Sequence, residues 1–84
     1  MVSIIDVHQH LWDLSEFELP WLASVPALRG DYTMSRYLDE SSGFSVAKTV
    51  YMEVDVAPGL IGKEADHILV LCDADDNPMV GATL

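Results

Sequence analysis

Near the start of the chain, Asp6, His8 and His10 are spaced by single residues in an Asp-x-His-x-His run. Successive side chains of a β-strand point to opposite faces. This spacing therefore predicts the three polar groups on one face and Ile5, Val7 and Leu11 on the other, packed under a helix. Two imidazoles so placed can bite one metal ion or polarise one carbonyl. A catalytic zinc takes three protein ligands and keeps a fourth position open; His8 and His10 supply two. A His-x-His pair also arises by plain packing. Its setting favours chemistry, because the pair stands at the C-terminal end of a strand, where parallel α/β barrels do their work.

Other side chains divide between site and scaffold. Glu53 has the matching place at the end of a second strand, on one face with Thr49 and Tyr51. There it can hydrogen-bond a substrate or orient His10, or be an exposed loop acid. Trp12 follows the histidines directly and either walls the site or packs in the core. Asp13 reads as a turn cap and Asp55 as solvated or a turn former, Trp21 and Tyr32 as loop anchors ahead of ligand stackers, and Arg29 as one half of a surface ion pair ahead of a contact to an acidic substrate. His67 lies in a helical stretch, away from the strand ends.

The elements that must position these groups run strand, loop, helix, strand, loop, helix, strand. Strands are predicted over 3–10, 46–54 and 79–84, and helices over 34–42 and 62–75. Asp31 or Thr33 can cap the first helix and Gly43 can stop it. Ile61, Ala65, Ile68, Leu69 and Cys72 recur at helical spacing in the second, and Asn77-Pro78 ends it. Pro20 and Pro26 break regular structure in the long loop over 11–32. That loop carries enough aromatic residues to be a folded lid or wall. Strands alternating with helices define an α/β chain of βαβ units with parallel pairing.

With 84 residues the chain is one domain at most, and its core is thin. Fourteen acids against four bases give a net charge of −10, which makes nucleic acid and anionic membranes poor partners. The lone Cys72 can form no internal disulfide, and no stretch reads as a signal peptide or membrane span. A soluble protein of a reducing, cytoplasmic compartment is expected.

The run Ile5-Asp6-Val7-His8-Gln9-His10-Leu11-Trp12-Asp13 resembles the first strand of the amidohydrolase superfamily. The closer likeness is to its amidohydrolase-related branch, the sugar-acid lactonases and 2-pyrone-4,6-dicarboxylate lactonase-like enzymes. The likeness continues through Leu19-Pro20-Trp21-Leu22, Arg29-Gly30-Asp31-Tyr32, Thr49-Val50-Tyr51-Met52-Glu53-Val54, Glu64-Ala65-Asp66 and Asp76-Asn77-Pro78.

The resemblance implies the first three strands and two helices of a (β/α)8 TIM barrel, whose complete form needs about 250 residues. It implies hydrolysis of a lactone or related ester or amide by activated water. His8 and His10 would bind a divalent, zinc-like metal or contact the substrate carbonyl, and Glu53 and Trp12 would line the site. Later strands of such enzymes add further histidines and a general-base aspartate. The expectation is therefore an N-terminal fragment over 1–84 that is inactive by itself. Its open sheet invites self-association. The competing reading is a non-catalytic βαβ module that needs a partner to cover that sheet.

Overall fold

A computed structural model describes residues 2–84. Strand β1 spans Ser3–Gln9, helix α1 Met34–Glu40, strand β2 Ser45–Met52, helix α2 Ile61–Asp73 and strand β3 Met79–Thr83. The strands form one parallel sheet in the order β1-β2-β3. Strand β2 is therefore central, and its C-terminal end lies beside that of β1. Among the described residues no helix is long and apolar enough to cross a membrane.

The register between β1 and β2 slips between Asp6 and Gln9, where Asp6 pairs with Thr49 and Gln9 with Tyr51. That irregularity breaks the simple alternation expected of Asp6-x-His8-x-His10. Gln9 is buried, His8 and His10 are exposed, and Ile5 and Val7 are exposed rather than packed under a helix. Helix α1 has seven residues and buries none of them, so it shields little of β1.

Helix α2 covers the other part of the sheet. Ile68 packs in one cluster with Tyr51 of β2 and Met79 of β3. The expected apolar stripe on α2 is rotated. Ile61 and Leu69 are exposed, whereas Ile68 and the carboxylate residue Glu64 are buried. Thr49 and Tyr51 are likewise buried in this layer, and so they do not share the open position of Glu53.

The loop over 11–32 is part of the core, not a lid over it. Leu11, Trp12, Phe17, Leu19 and Leu22 make up half of the ten buried apolar residues among those described. Pro20 and Pro26 each open a short 3-10 turn, Pro20–Ser24 and Pro26–Leu28, where the missing proline N–H is no loss. The two ends of the loop are tied by reciprocal backbone bonds of 2.8 Å between Trp12 and Tyr32. Its middle is pinned by Lys63 Nζ, which donates to the Glu16 carbonyl at 2.8 Å and pairs with the Glu16 carboxylate at 2.9 Å.

Local capping follows side-chain chemistry more than glycine. Thr33 caps α1 by accepting from the Arg36 amide, while Asp31 instead accepts from the Leu14 amide. Ser41, not Gly43, closes that helix. After α2 the chain leaves through Ala74 in an extended conformation. Asn77 Nδ2 then donates to the Leu71 carbonyl at 3.0 Å, so Asn77 serves as a side-chain cap, not a left-handed turn.

Candidate active site

The C-terminal ends of β1 and β2 open onto a cavity of about 560 Å³. His10, Trp12, Trp21, Tyr32, Glu53 and Asp55 line it, with Leu28 and Val54. Cavities of this size suit small molecules. A larger hollow of about 700 Å³ lies among Leu14, Phe17, Pro20 and Leu60, and neither His8 nor His10 lines it.

His10 is fixed by its backbone neighbour. Its Nδ1 lies 3.1 Å from the Met52 carbonyl at the end of β2. A carbonyl only accepts, so Nδ1 carries the proton and the Nε2 lone pair is left free. A backbone carbonyl on the far nitrogen is the usual way a metal-binding or electrophile-contacting imidazole is oriented. The His8 ring stands edge-on to His10, with centroids 4.8 Å apart at 71°.

The sequence placed Asp6 beside these rings, but its carboxylate is used elsewhere. It accepts from the His8 backbone amide at 3.1 Å and from the Tyr37 hydroxyl of α1 at 2.7 Å. Burial, followed by the Asp6 hydrogen bond, pushes the Tyr37 phenol up to about 12. Asp6 thus braces β1 against α1 and adds no third donor.

The aromatic wall is made of rings packed on one another. Trp12 meets Trp21 edge-on with centroids 5.6 Å apart and leans on Tyr32 at 4.7 Å. Both indole N–H groups are used internally, Trp12 on the Gly30 carbonyl and Trp21 on the Val54 carbonyl, each at 2.7 Å. The two indoles therefore present ring surface, not donors. Arg36 stacks on Tyr32 at 4.3 Å and pairs with Glu40 at 3.1 Å. Arg29 forms no ion pair among the described residues, contrary to its expected role.

Glu53 and Asp55 follow directly after β2. Glu53 accepts from the Asp55 amide at 2.6 Å, and Asp55 has φ of 53°, a left-handed conformation that aspartate tolerates. Asp13 takes the turn role expected of it, and its bonds from Ser15 hold its carboxyl below the usual range. His67 packs its ring edge against Phe17 with centroids 5.5 Å apart, outside the cavity. Burial pushes the Cys72 thiol up, which leaves it a poor nucleophile.

Sequence reasoning missed Glu64. It is 5% exposed, and its Oε2 accepts from the Tyr51 hydroxyl at 2.6 Å and the Val54 amide at 3.1 Å. The Tyr51 phenol is pushed far up, first by burial and then by this carboxylate. The available signal was a charged residue on the buried side of a helical repeat, opposite a strand tyrosine.

As a metal site these residues fit in part. Two imidazoles, one already oriented through Nδ1, are suitable donors. Among the described residues no group of three His, Cys, Asp or Glu side chains is arranged to hold an ion. A complete coordination shell would need donors beyond these.

Comparison with known proteins agrees with the geometry. The chain overlays Amidohydrolase 2 from Bifidobacterium longum subsp. infantis with a TM-score of 0.75 and 29% identity, over all of this chain and 32% of that one. It is also 33% identical over 66 residues to the uncharacterized protein y4mH of Sinorhizobium fredii (strain NBRC 101917 / NGR234), which spans 68% of this chain and 22% of the relative. No family model matches. The chain thus has the three-stranded parallel α/β architecture of part of an amidohydrolase, and spans about a third or less of each of these proteins.

Proposed function

We propose that this chain is the N-terminal part of an amidohydrolase-type barrel that opens a lactone or a related carboxylic ester or amide with activated water. The observation that carries this reading is the cavity at the C-terminal ends of two parallel strands. There a pre-oriented imidazole, an aromatic wall and a carboxylate converge. In this reading His10, through its free Nε2, and His8 together face the carbonyl oxygen of the substrate or hold a divalent ion there. Such an ion, when bound, supplies Lewis acidity toward that oxygen. Trp12, Trp21 and Tyr32 keep bulk water from the acyl group and grip the ring of the substrate. Glu53 accepts hydrogen bonds from substrate hydroxyls.

Attack by water requires a base for its proton and an electrophile for the developing oxyanion. The histidine pair answers for the electrophile, and the base comes from outside these residues. The chain alone is therefore inactive. The test is to read the gene beyond the Leu84 codon and assay its complete product on sugar lactones, with and without added metal. Hydrolysis that falls by about 100-fold or more on His10→Ala, alongside no turnover by the 84-residue chain, supports the reading. A complete product with no lactonase, esterase or amidase activity, or one indifferent to His10→Ala, overturns it.

A further inference from the structure

We infer that Glu64 is a positioning residue for the site, acting from the buried side of α2 through the backbone of residues 52–55. This rests on the reading that His10 works in that cavity. Besides the bond of the Glu53 amide to the Thr83 carbonyl, four bonds fix the segment. The Met52 carbonyl accepts from His10 Nδ1 at 3.1 Å, the Val54 amide donates to Glu64 at 3.1 Å, the Val54 carbonyl accepts from Trp21 at 2.7 Å, and the Asp55 amide donates to Glu53 at 2.6 Å. Strand β2 ends at Met52, and only the Glu53 amide still reaches β3, at the Thr83 carbonyl. Past that point no sheet partner holds the Val54 amide; a side-chain carboxylate does.

The chemistry of Glu64 suits that task. A buried carboxylate is tolerated when its oxygens are satisfied by hydrogen bonds. Here one oxygen takes two, from a phenol that burial and the carboxylate keep protonated and from a backbone amide. Bonds to an ionised acceptor are stronger than neutral ones and more directional. Glu64 thereby holds Val54 where its carbonyl meets Trp21. It also fixes the path of the chain through Glu53 and through the left-handed Asp55, at φ of 53°. The orientation of His10 depends on the Met52 carbonyl two residues earlier. The inference is that loss of the Glu64 acceptor leaves the Met52–Glu53 peptide held by β3 at the Thr83 carbonyl alone, so that it turns about that one bond and His10 loses its preference for the Nδ1–H form.

The test uses the full 84-residue chain, with the His10 ring tautomer read from its nitrogen resonances and the Val54 amide followed by hydrogen exchange. The wild type is expected to show the Nδ1–H tautomer and a protected Val54 amide. Glu64→Met fills the same space without an acceptor. It should bring Val54 exchange to the rate of a free amide and give His10 a mixture of tautomers. Glu64→Gln keeps one acceptor oxygen, so it should loosen Val54 only in part, with exchange faster by about 10-fold as the bond becomes neutral and a minor second His10 tautomer in proportion. Tyr51→Phe should leave His10 unchanged.

A merely structural glutamate would give a different pattern, lowering stability while the His10 tautomer stays as in the wild type. The inference is overturned if Val54 is released with His10 unaltered, or if Val54 stays protected in Glu64→Met. Should Glu64→Met not fold, the same pair of readings on Glu64→Gln decides, because any loosening of Val54 must then appear at His10 in proportion. None of these readings depends on turnover, so an error in the assigned reaction would leave them standing.

Discussion

Removing the Tyr51 hydroxyl tests the buried contact that joins sheet to helix. Tyr51 is 1% exposed and donates to Glu64 at 2.6 Å, with the Leu11 carbonyl 3.3 Å from the same oxygen. Tyr51→Phe leaves the ring packing in place and deprives the carboxylate of one of its two donors. A hydrogen bond to a charged group contributes about 1.5–3 kcal/mol. With a urea slope of about 1–2 kcal/mol/M for a small domain, the midpoint should fall by about 1–2 M with the slope unchanged.

The same variant should change the alkaline limb of stability. The folded phenol is pushed up by burial and by Glu64 and holds its proton, while the unfolded one releases it near pH ~10. Below that pH both states are protonated and the wild-type advantage is complete. Above it the unfolded state binds fewer protons, so wild-type stability falls by up to about 1.4 kcal/mol per pH unit. The variant lacks this loss and keeps only the parts due to the Cys72 thiol, which burial pushes up, and to Tyr37, whose phenol is raised to about 12. The two stabilities should therefore converge as pH rises. A midpoint shift below about 0.3 M at neutral pH, or parallel alkaline limbs, would refute the assignment.

Two further substitutions probe the thin core and the loop. Ile68 is 1% exposed between α2 and the sheet, so Ile68→Ala should cost about 2–5 kcal/mol, visible as a melting point lower by more than ~10 °C; a drop of only a degree or two would show that the helix packs loosely. Glu16→Gln removes one partner of an exposed pair, while Lys63 keeps its bond to the Glu16 carbonyl. Its stability should stay within about 0.5 kcal/mol of the wild type at low and high salt, and a larger, salt-sensitive loss would mean that the pair anchors the loop.

Much of the architecture was legible because it rests on periodicity. The order of strands and helices, the parallel pairing and the folded character of the aromatic loop follow from alternation, helical spacing and proline placement. What escaped was set by tertiary contacts. The slip after Asp6 turned its carboxylate to Tyr37, and the pattern Asp-x-His-x-His carries no mark of that. The α2 stripe was misplaced because Glu64 reads as a solvent residue until Tyr51 and the Val54 amide are seen to meet it. The helix stops were misread because Ser41 and Asn77 cap with hydrogen bonds where glycine or a left-handed turn was expected. At the site, the sequence named His8, His10, Trp12 and Glu53 together. The structure brings His10, Trp12 and Glu53 to one cavity, with His8 edge-on to His10.

If His8 and His10 act as one pair, His67 provides an internal control in the same molecule. Zinc added to the isotope-labelled chain, with the three histidine rings followed by NMR, tests this directly. The expected result is that His8 and His10 respond together at the same zinc concentration, while His67, edge-on to Phe17 and outside the cavity, stays unmoved. A response from one of the pair without the other, or from all three rings in parallel, would contradict the account.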